Sequence, residues 1–215
     1  MKNFNFLSNK HSRFIAALCL LLSFGIGNAW GDSTITLGRS NVAGKTSYST
    51  TEQTFTQSSV SFGYINLMEN GANGTPTNWA KEQVMQTKNG GYLYNKGSLS
   101  IIKTVKIWIV ANDNGFSVGY GDSEKPTTNK IAKSSATKTT PSITYTKYAN
   151  KTTTPNQTTT ANTYEFDLSS YNATYFCIIP TGSLYIWKVE ITYGPAGSTK
   201  TLVLVDIGQI AHKDL

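Results

Sequence analysis

The stretch of residues 103–121 constrains the fold of this chain more than any other part of the sequence. In its first half, apolar and more polar side chains alternate, which is typical of a half-buried β-strand. The apolar face of this strand comprises Val105, Ile107, Ile109 and Ala111. The Asn-Asp-Asn-Gly sequence at 112–115 tolerates the positive φ angles of a tight turn. The sequence therefore predicts that the chain reverses there and that residues 116–120 form the second strand of a hairpin.

Short runs of β type recur on both sides of this predicted hairpin. They span residues 34–37, 53–55, 60–67, 84–87, 92–94, 99–102, 130–132, 143–148, 164–168, 175–180 and 184–193. Polar and Gly-rich segments separate them, and only residues 78–81 suggest a turn of helix. This pattern predicts an all-β fold, an antiparallel, jelly-roll-like β-sandwich. The threonine-rich residues 151–161 are interpreted as a mobile connection or a twisted edge strand.

A second hairpin is predicted between the runs at 84–87 and 92–94. Lys88-Asn89-Gly90-Gly91 joins them, and Asn-Gly is the strongest two-residue hairpin signal. Tyr92 and Tyr94 would then share one face of the returning strand, because side chains two positions apart point the same way.

Two residues near the C-terminal strands are predicted to lie in the core. Cys177 lies in an apolar run, where a thiol behaves as a small apolar side chain. Trp187 alternates with Val189 and Ile191, which predicts that its ring faces the core with them.

The first 31 residues have the features of a secretory signal peptide. Lys2, Lys10 and Arg13 precede an apolar run, 14–24, that is too short to span a bilayer. Cleavage after Ala29 or Gly31 predicts a mature chain that begins at Trp30 or Asp32 and is secreted or displayed on the cell surface. We expect residues 32–193 to form one sandwich module with no transmembrane segment. Residues 194–215 are a linker and tail, interpreted as an extra strand, a truncated second module or a disordered segment.

Charge and residue usage exclude several chemistries. Loss of three basic residues with the signal peptide lowers the formal net charge from +7 to +4. Arg39 is the only arginine left, so bidentate contacts to phosphate or guanine are scarce. Cys177 is the only remaining cysteine, which excludes an internal disulfide. His212 is the only remaining histidine and lies in the tail, which argues against a Ser-His-Asp triad and a histidine metal centre.

The carboxylates do not by themselves indicate catalysis. Glycoside hydrolysis needs only two carboxylates across a cleft, so composition does not exclude it. Glu165 and Asp167 share a strand face, but solvated acidic residues are the commoner case. Residues 112–115 carry side-chain oxygens of the type that binds calcium, but these residues suit a tight turn better than a calcium site. The sequence therefore predicts no catalytic residue, no metal and no cofactor.

A glycan is the ligand class that the residue types favour. Sugars are held by aromatic faces together with amide, hydroxyl and lysine hydrogen bonds, and all of these are abundant here. The candidate binding residues are Trp79, Tyr92, Tyr94, Trp108 and Tyr120. Trp108 lies on the less apolar face of its strand and is the best candidate for an exposed ring. The alternatives are a structural or adhesive spacer that recognises a protein or no specific ligand, and lysine-mediated nucleic-acid binding by residues 125–151.

Several motifs together resemble those of a known class of module. They are Met-Gln-Thr-Lys at 85–88, Gly-Tyr-Leu-Tyr-Asn-Lys at 91–96, the run 101–108, Ser-Val-Gly-Tyr-Gly at 117–121 with Pro126, Tyr-Phe-Cys-Ile at 175–178, and the run 187–193. The chain from Gln53 to Tyr193 is similar to uncharacterised secreted bacterial β-sandwich modules, found alone or appended to exported enzymes. The resemblance implies a jelly-roll-like sandwich and carries over no catalytic residue.

Overall fold

The computed structural model describes residues 31–69, 84–149 and 152–195. Within them lie thirteen strands and two short 3-10 turns, Arg39–Val42 and Lys133–Ser135. The strands are β1 (Ser33–Gly38), β2 (Gln53–Gln57), β3 (Val60–Glu69), β4 (Met85–Asn95), β5 (Ile101–Ala111), β6 (Phe116–Gly121), β7 (Lys130–Ala132), β8 (Thr137–Thr139), β9 (Ser142–Ala149), β10 (Thr152–Thr160), β11 (Asn162–Asp167), β12 (Tyr175–Pro180) and β13 (Leu184–Gly194). The predicted signal peptide, the helical turn at 78–81 and the tail beyond 195 lie outside the described residues.

Eleven of these strands form one curled antiparallel sheet that folds into two layers. One layer has the order β7-β6-β12-β4-β3-β2, and the other has the order β8-β11-β5-β13-β1. The layers join where the start of β4 pairs with the start of β13. The predicted all-β antiparallel sandwich is therefore confirmed. No helix in the described part of the chain is long and apolar enough to cross a membrane.

The main core lies between the two layers and draws on both. Phe62 and Phe176 come from the first layer, and Ile107, Phe166 and Val189 come from the second. All five side chains are essentially fully buried. Burying each contributes about 1.5–3 kcal/mol of transfer free energy. The predicted inward face of β5 is confirmed for Val105, Ile107 and Ile109, which belong to this core, whereas Ala111 is half-buried and lies outside it.

The turn at 112–115 is not a hairpin, so the predicted reversal is wrong. β5 pairs with β11 and β13, whereas β6 pairs with β7 and β12. Ala111 faces Tyr185 and Phe116 faces Pro180, so the register continues across the gap. β5 and β6 are thus one strand path that bends from one layer into the other. Corners of this kind are how a strand changes sheets in a sandwich.

Asp113 holds this corner in place with its side-chain oxygens. Its Oδ2 accepts hydrogen bonds from the Tyr164 hydroxyl at 2.5 Å and from Asn162 Nδ2 at 2.9 Å. Its Oδ1 lies 2.7 Å from the Lys133 ammonium, which also donates to the main-chain oxygens of Asp113 and Asn114. Burial and the Asp113 carboxylate raise the pKa of Tyr164. Of the side-chain oxygens compared above with a calcium loop, Asp113 Oδ1 therefore contacts a lysine ammonium.

The second predicted hairpin, at 88–91, is also wrong, because β4 runs through it. Ile65 of β3 faces Tyr92, and Leu67 faces Thr87, so residues 88–91 bulge out opposite Asn66. Asn66 Nδ2 donates to the main-chain oxygen of Gly90 at 3.2 Å, and Thr87 Oγ1 donates to that of Asn66 at 3.0 Å. Gly90 has a positive φ of 74°. The Asn-Gly pair thus supplies a bulge within a strand instead of a chain reversal.

The threonine-rich stretch forms a small sheet of its own. β9 and β10 pair only with each other, and their register shifts between Thr154 and Gln157, around Pro155. Proline cannot donate a ladder hydrogen bond, so it suits this irregularity. Residues 151–161 were interpreted above as a mobile connection or an edge strand, and the structure bears out a strand, β10.

The outer face of the first layer is covered by the segment that follows β6. A side chain at Gly119 would point at this segment, since an ideal Cβ there lies 2.0 Å from the Pro126 main-chain oxygen. Cys177 pairs with Gly119 and is fully buried, which confirms its predicted burial. Burial raises the pKa of the Cys177 thiol to about 12, so the thiol stays protonated at neutral pH.

We expect Gly119→Ala to lower the free energy of unfolding by about 1–3 kcal/mol, because the new methyl group meets a main-chain oxygen that cannot move alone. Urea denaturation followed by tryptophan fluorescence measures the change. Gly97→Ala is the matched control, since nothing lies within 4 Å of a Cβ there. Equal midpoints for the two variants would contradict the close approach of this segment to the sheet.

Candidate functional site

The aromatic residues singled out in the sequence do not line one groove. Trp79 lies outside the described residues. Tyr94 and Trp108 are buried, and Tyr92 and Tyr120 are half-buried. The four aromatic residues that the structure describes lie in three separate places: Trp108 in one, Tyr92 and Tyr94 in a second, and Tyr120 in a third.

Trp108 lies on the outer face of the second layer, where other groups cover it. Ile143 of β9 and Ala161 pack against its ring, which is 7% exposed. The Lys188 ammonium lies 3.9 Å from the ring centroid. The predicted exposure of Trp108 is therefore wrong. Alternation showed that the ring points away from the main core, but not that a second small sheet lies over it.

Tyr92 and Tyr94 share the outer face of the first layer, as predicted. The Lys125 ammonium lies 4.3 Å from the Tyr92 ring centroid and 5.7 Å from that of Tyr94. Cation–π contact of this kind holds the lysine over both rings. The Tyr94 ring also lies against Gly63, where an added Cβ would meet it at 2.6 Å. Tyr94 is therefore enclosed by the protein and presents no free aromatic face, whereas Tyr92 is partly covered by Lys125 and stays half-buried.

A charged network surrounds the Tyr94 hydroxyl. The hydroxyl donates to Glu52, which also forms an ion pair with Lys96. Lys96 lies 3.2 Å from a carboxylate oxygen of Glu124. The hydrogen bonds from Lys96 and then from Tyr94 lower the pKa of Glu52 below its ordinary value. These contacts tie the start of β2, β4 and the segment after β6 together.

Tyr120 lies on the opposite face of its layer from Tyr94. It packs against the edge of the main core, and its ring centroid is 4.2 Å from that of Tyr171. Tyr171 is 47% exposed, and among the described residues it is the only large hydrophobic side chain that is exposed. Burial, followed by contact with Tyr171, raises the pKa of Tyr120. The two rings form a small aromatic patch with one open face.

A pocket of about 510 Å³ lies beside the end of β1 and combines an aromatic ring with polar groups. Its volume is in the range of ordinary small-ligand sites, about 300–1,000 Å³. Its walls include Arg39, Asn41, Gln57, Glu69, Trp187 and Lys188. None of these was singled out above as a binding residue. They come from β1 and its following turn, β2, β3 and β13, so only folding brings them together.

A β-bulge places Trp187 in this pocket. Ile186 faces Ile109 and Lys188 faces Trp108, so Trp187 is an extra residue in β13. Bulges redirect side chains and are common beside binding sites. Trp187 is half-buried and packs against the smaller cluster of Trp108, Ile143 and Ala161, so the prediction that its ring faces the main core with Val189 is wrong. The sequence shows perfect alternation here, and nothing in it marks the bulge.

A 3-10 turn after β1 positions the polar wall of the pocket. The Gly38 N–H donates to Asn41 Oδ1 at 2.7 Å, and Asn41 Nδ2 donates to Gln57 Oε1 at 2.9 Å. These bonds fix both amide groups at the pocket wall. The buried side chain of Val42 anchors the turn to the core.

The Arg39 guanidinium forms an ion pair with Glu69 on the same side of the pocket. Glu69 is only 8% exposed, and its other oxygen accepts a hydrogen bond from the Gly44 N–H at 2.6 Å. Gly44 has a φ of 79°, which suits glycine and lets its N–H reach the carboxylate. Arg39 was noted in the sequence as the single arginine after the signal peptide. Its being the only arginine there was the one feature of the sequence that could have drawn attention to this pocket.

The residues that line the pocket supply several kinds of polar group. Amide groups donate and accept hydrogen bonds, the guanidinium donates, and the carboxylate accepts, while Trp187 adds an aromatic residue to the lining. The described residues contain no group of three or more His, Cys, Asp or Glu side chains placed to hold a metal ion. Neither the protein-family models nor the curated proteins compared with the chain match it.

We expect Lys96→Met to raise the pKa of Glu52, because the Lys96 hydrogen bond is the largest cause of its lowered value. Glu52 stabilises the folded state above its unfolded pKa, and this contribution is lost as the pH falls through its folded pKa. The variant should therefore be less stable than the parent at neutral pH, and this difference should narrow in acid. NMR titration of the Glu52 carboxyl carbon measures the pKa.

Lys103→Met is the control for this titration, since it removes the same charge without touching the network around Tyr94. An unchanged Glu52 pKa in Lys96→Met would show that the ion pair is absent in solution.

Proposed function

We propose that this chain is an exported, non-catalytic module that binds glycans in the pocket around Trp187. The observation that carries the proposal is a pocket whose lining combines half-buried Trp187 with fixed amide groups and a guanidinium group. A sugar ring has an apolar C–H face and a rim of hydroxyls. Such a ligand would place its apolar face on Trp187 and its hydroxyls against Asn41, Gln57 and Arg39. Export rests on the signal-like residues 1–31.

Binding without hydrolysis is supported by the way the pocket carboxylate is engaged. Both oxygens of Glu69 are committed, one to Arg39 and the other to Gly44. Glycoside hydrolysis needs one carboxyl group free to protonate the leaving oxygen and a second to act on the sugar. The arrangement therefore favours a lectin-like role for Glu69, as an acceptor held in place.

A second candidate function is adhesion to a protein partner, and one observation favours it. The rings of Tyr120 and Tyr171, which contact each other at a tilt of 34°, leave an aromatic patch open to solvent. Tyrosine is enriched at the centres of protein interfaces. Nucleic-acid binding has less support, because the ammonium groups of Lys125 and Lys133 are engaged with Tyr92 and Asp113.

We expect Trp187→Ala to weaken glycan binding at least about tenfold, the loss typical of a central aromatic contact. A glycan array identifies the ligand, and isothermal titration calorimetry of the chain measures its affinity. Gln57→Ala serves as a second variant in case loss of the indole disturbs folding, and it should also weaken binding.

Tyr171→Ala is the matched control, because it removes an exposed ring on a different surface. Circular dichroism and melting curves establish that each variant is folded. If Tyr171→Ala lost glycan binding while Trp187→Ala kept it, the site would be the tyrosine patch and this pocket would be excluded.

A further inference from the structure

The charged groups at the Trp187 pocket are already paired with one another. Arg39 is bound to Glu69, and Lys188 Nζ lies 2.7 Å from Glu190 Oε1. Lys188 is also held over the Trp108 ring. Two cations and two carboxylates thus balance, and neither pocket cation is left without a carboxylate partner. Electrostatic attraction for a charged ligand is correspondingly weak at this site.

An anionic ligand would gain a net attraction to either cation only by separating one of these pairs, because each positive charge is already balanced by a carboxylate. At Arg39 the separated partner would be Glu69, whose carboxylate is almost fully buried. Leaving a buried carboxylate without its cation is strongly unfavourable. The arrangement therefore discriminates against acidic ligands by the penalty it imposes on them.

Uncharged hydroxyl groups meet no such penalty. Asn41 and Gln57 each present a group that both donates and accepts, which matches a hydroxyl. The paired ions also keep lone pairs and N–H groups able to bind a hydroxyl without separating. From this balance, and resting on the glycan-binding function proposed above, we infer that the ligand is an uncharged sugar, and that uronic-acid and sulfated sugars are rejected.

The test compares neutral and acidic polysaccharides on the same chain. Binding of mannan, β-glucan and galactan is measured beside polygalacturonate, alginate and heparin, at about 50 mM and about 500 mM NaCl. We expect a neutral polymer to bind with an affinity that changes less than about twofold with salt, and acidic polymers to bind at least about tenfold more weakly. Preference for an acidic polymer, lost at high salt, overturns this inference and leaves glycan binding intact. Absence of binding to every polymer overturns the proposed function itself.

A charge variant tests whether ion pairing is the cause. Glu190→Gln frees Lys188 without altering the buried Glu69, and we expect it to raise affinity for acidic polymers at least about threefold at low salt. Glu165→Gln is the matched control, because it makes the same charge change on the same sheet face. The partner of Glu165 is Lys106, which does not line the pocket, whereas Lys188 does. Equal responses of the two variants would show that net charge, and not the pairing of Lys188, sets the preference.

Discussion

The bend that carries β5 into β6 is the constraint on which the rest of the structure depends. Because the register runs on from Ala111–Tyr185 to Phe116–Pro180, neighbouring strands must bend together and pass between the layers. Asp113 holds the bend by engaging Lys133, Asn162 and Tyr164. A curled sheet of this kind encloses one core, and it also sets which strand faces are left to be covered from outside.

Both outer faces are then partly covered by segments of low hydrophobicity. Over the first layer, the segment after β6 brings Lys125 onto Tyr92 and Tyr94. Over the second layer, Ile143 and the Lys188 side chain cover Trp108. Aromatic rings that point away from the main core are thus covered, wholly or in part, by other segments of the chain. Cation–π contacts contribute to this enclosure, each worth about 0.5–2 kcal/mol depending on desolvation.

The Trp187 pocket arises where these constraints leave a gap. A bulge in β13 turns Trp187 aside from the main core, and the hydrogen bonds of the 3-10 turn after β1 fix amide groups at the pocket wall. The ion pair between Arg39 and Glu69 closes one wall, and its burial makes the pairing hard to break. Shape and charge balance at this site therefore come from the same few contacts.

Particular elements show how far sequence reasoning reached. The period-two alternation of β5 and the apolar run around Cys177 correctly indicated strands and buried residues, because a strand's two faces are a local property. The turn signals at 112–115 and 88–91 correctly located irregular backbone but not its direction. Residues that accept a positive φ serve a hairpin, a bulge or a bend equally well, and distant pairing decides among them.

The sequence by itself determined the all-β class, the position of most strands and the inward face of β5, since these follow from alternation along the chain. Only the tertiary structure decided that Trp108 is covered, that Trp187 is turned aside and that Arg39 meets Glu69. The physical reason is that each of these depends on groups far apart in sequence. Alternation reports which side of a strand a residue is on, and not what folding brings to that side.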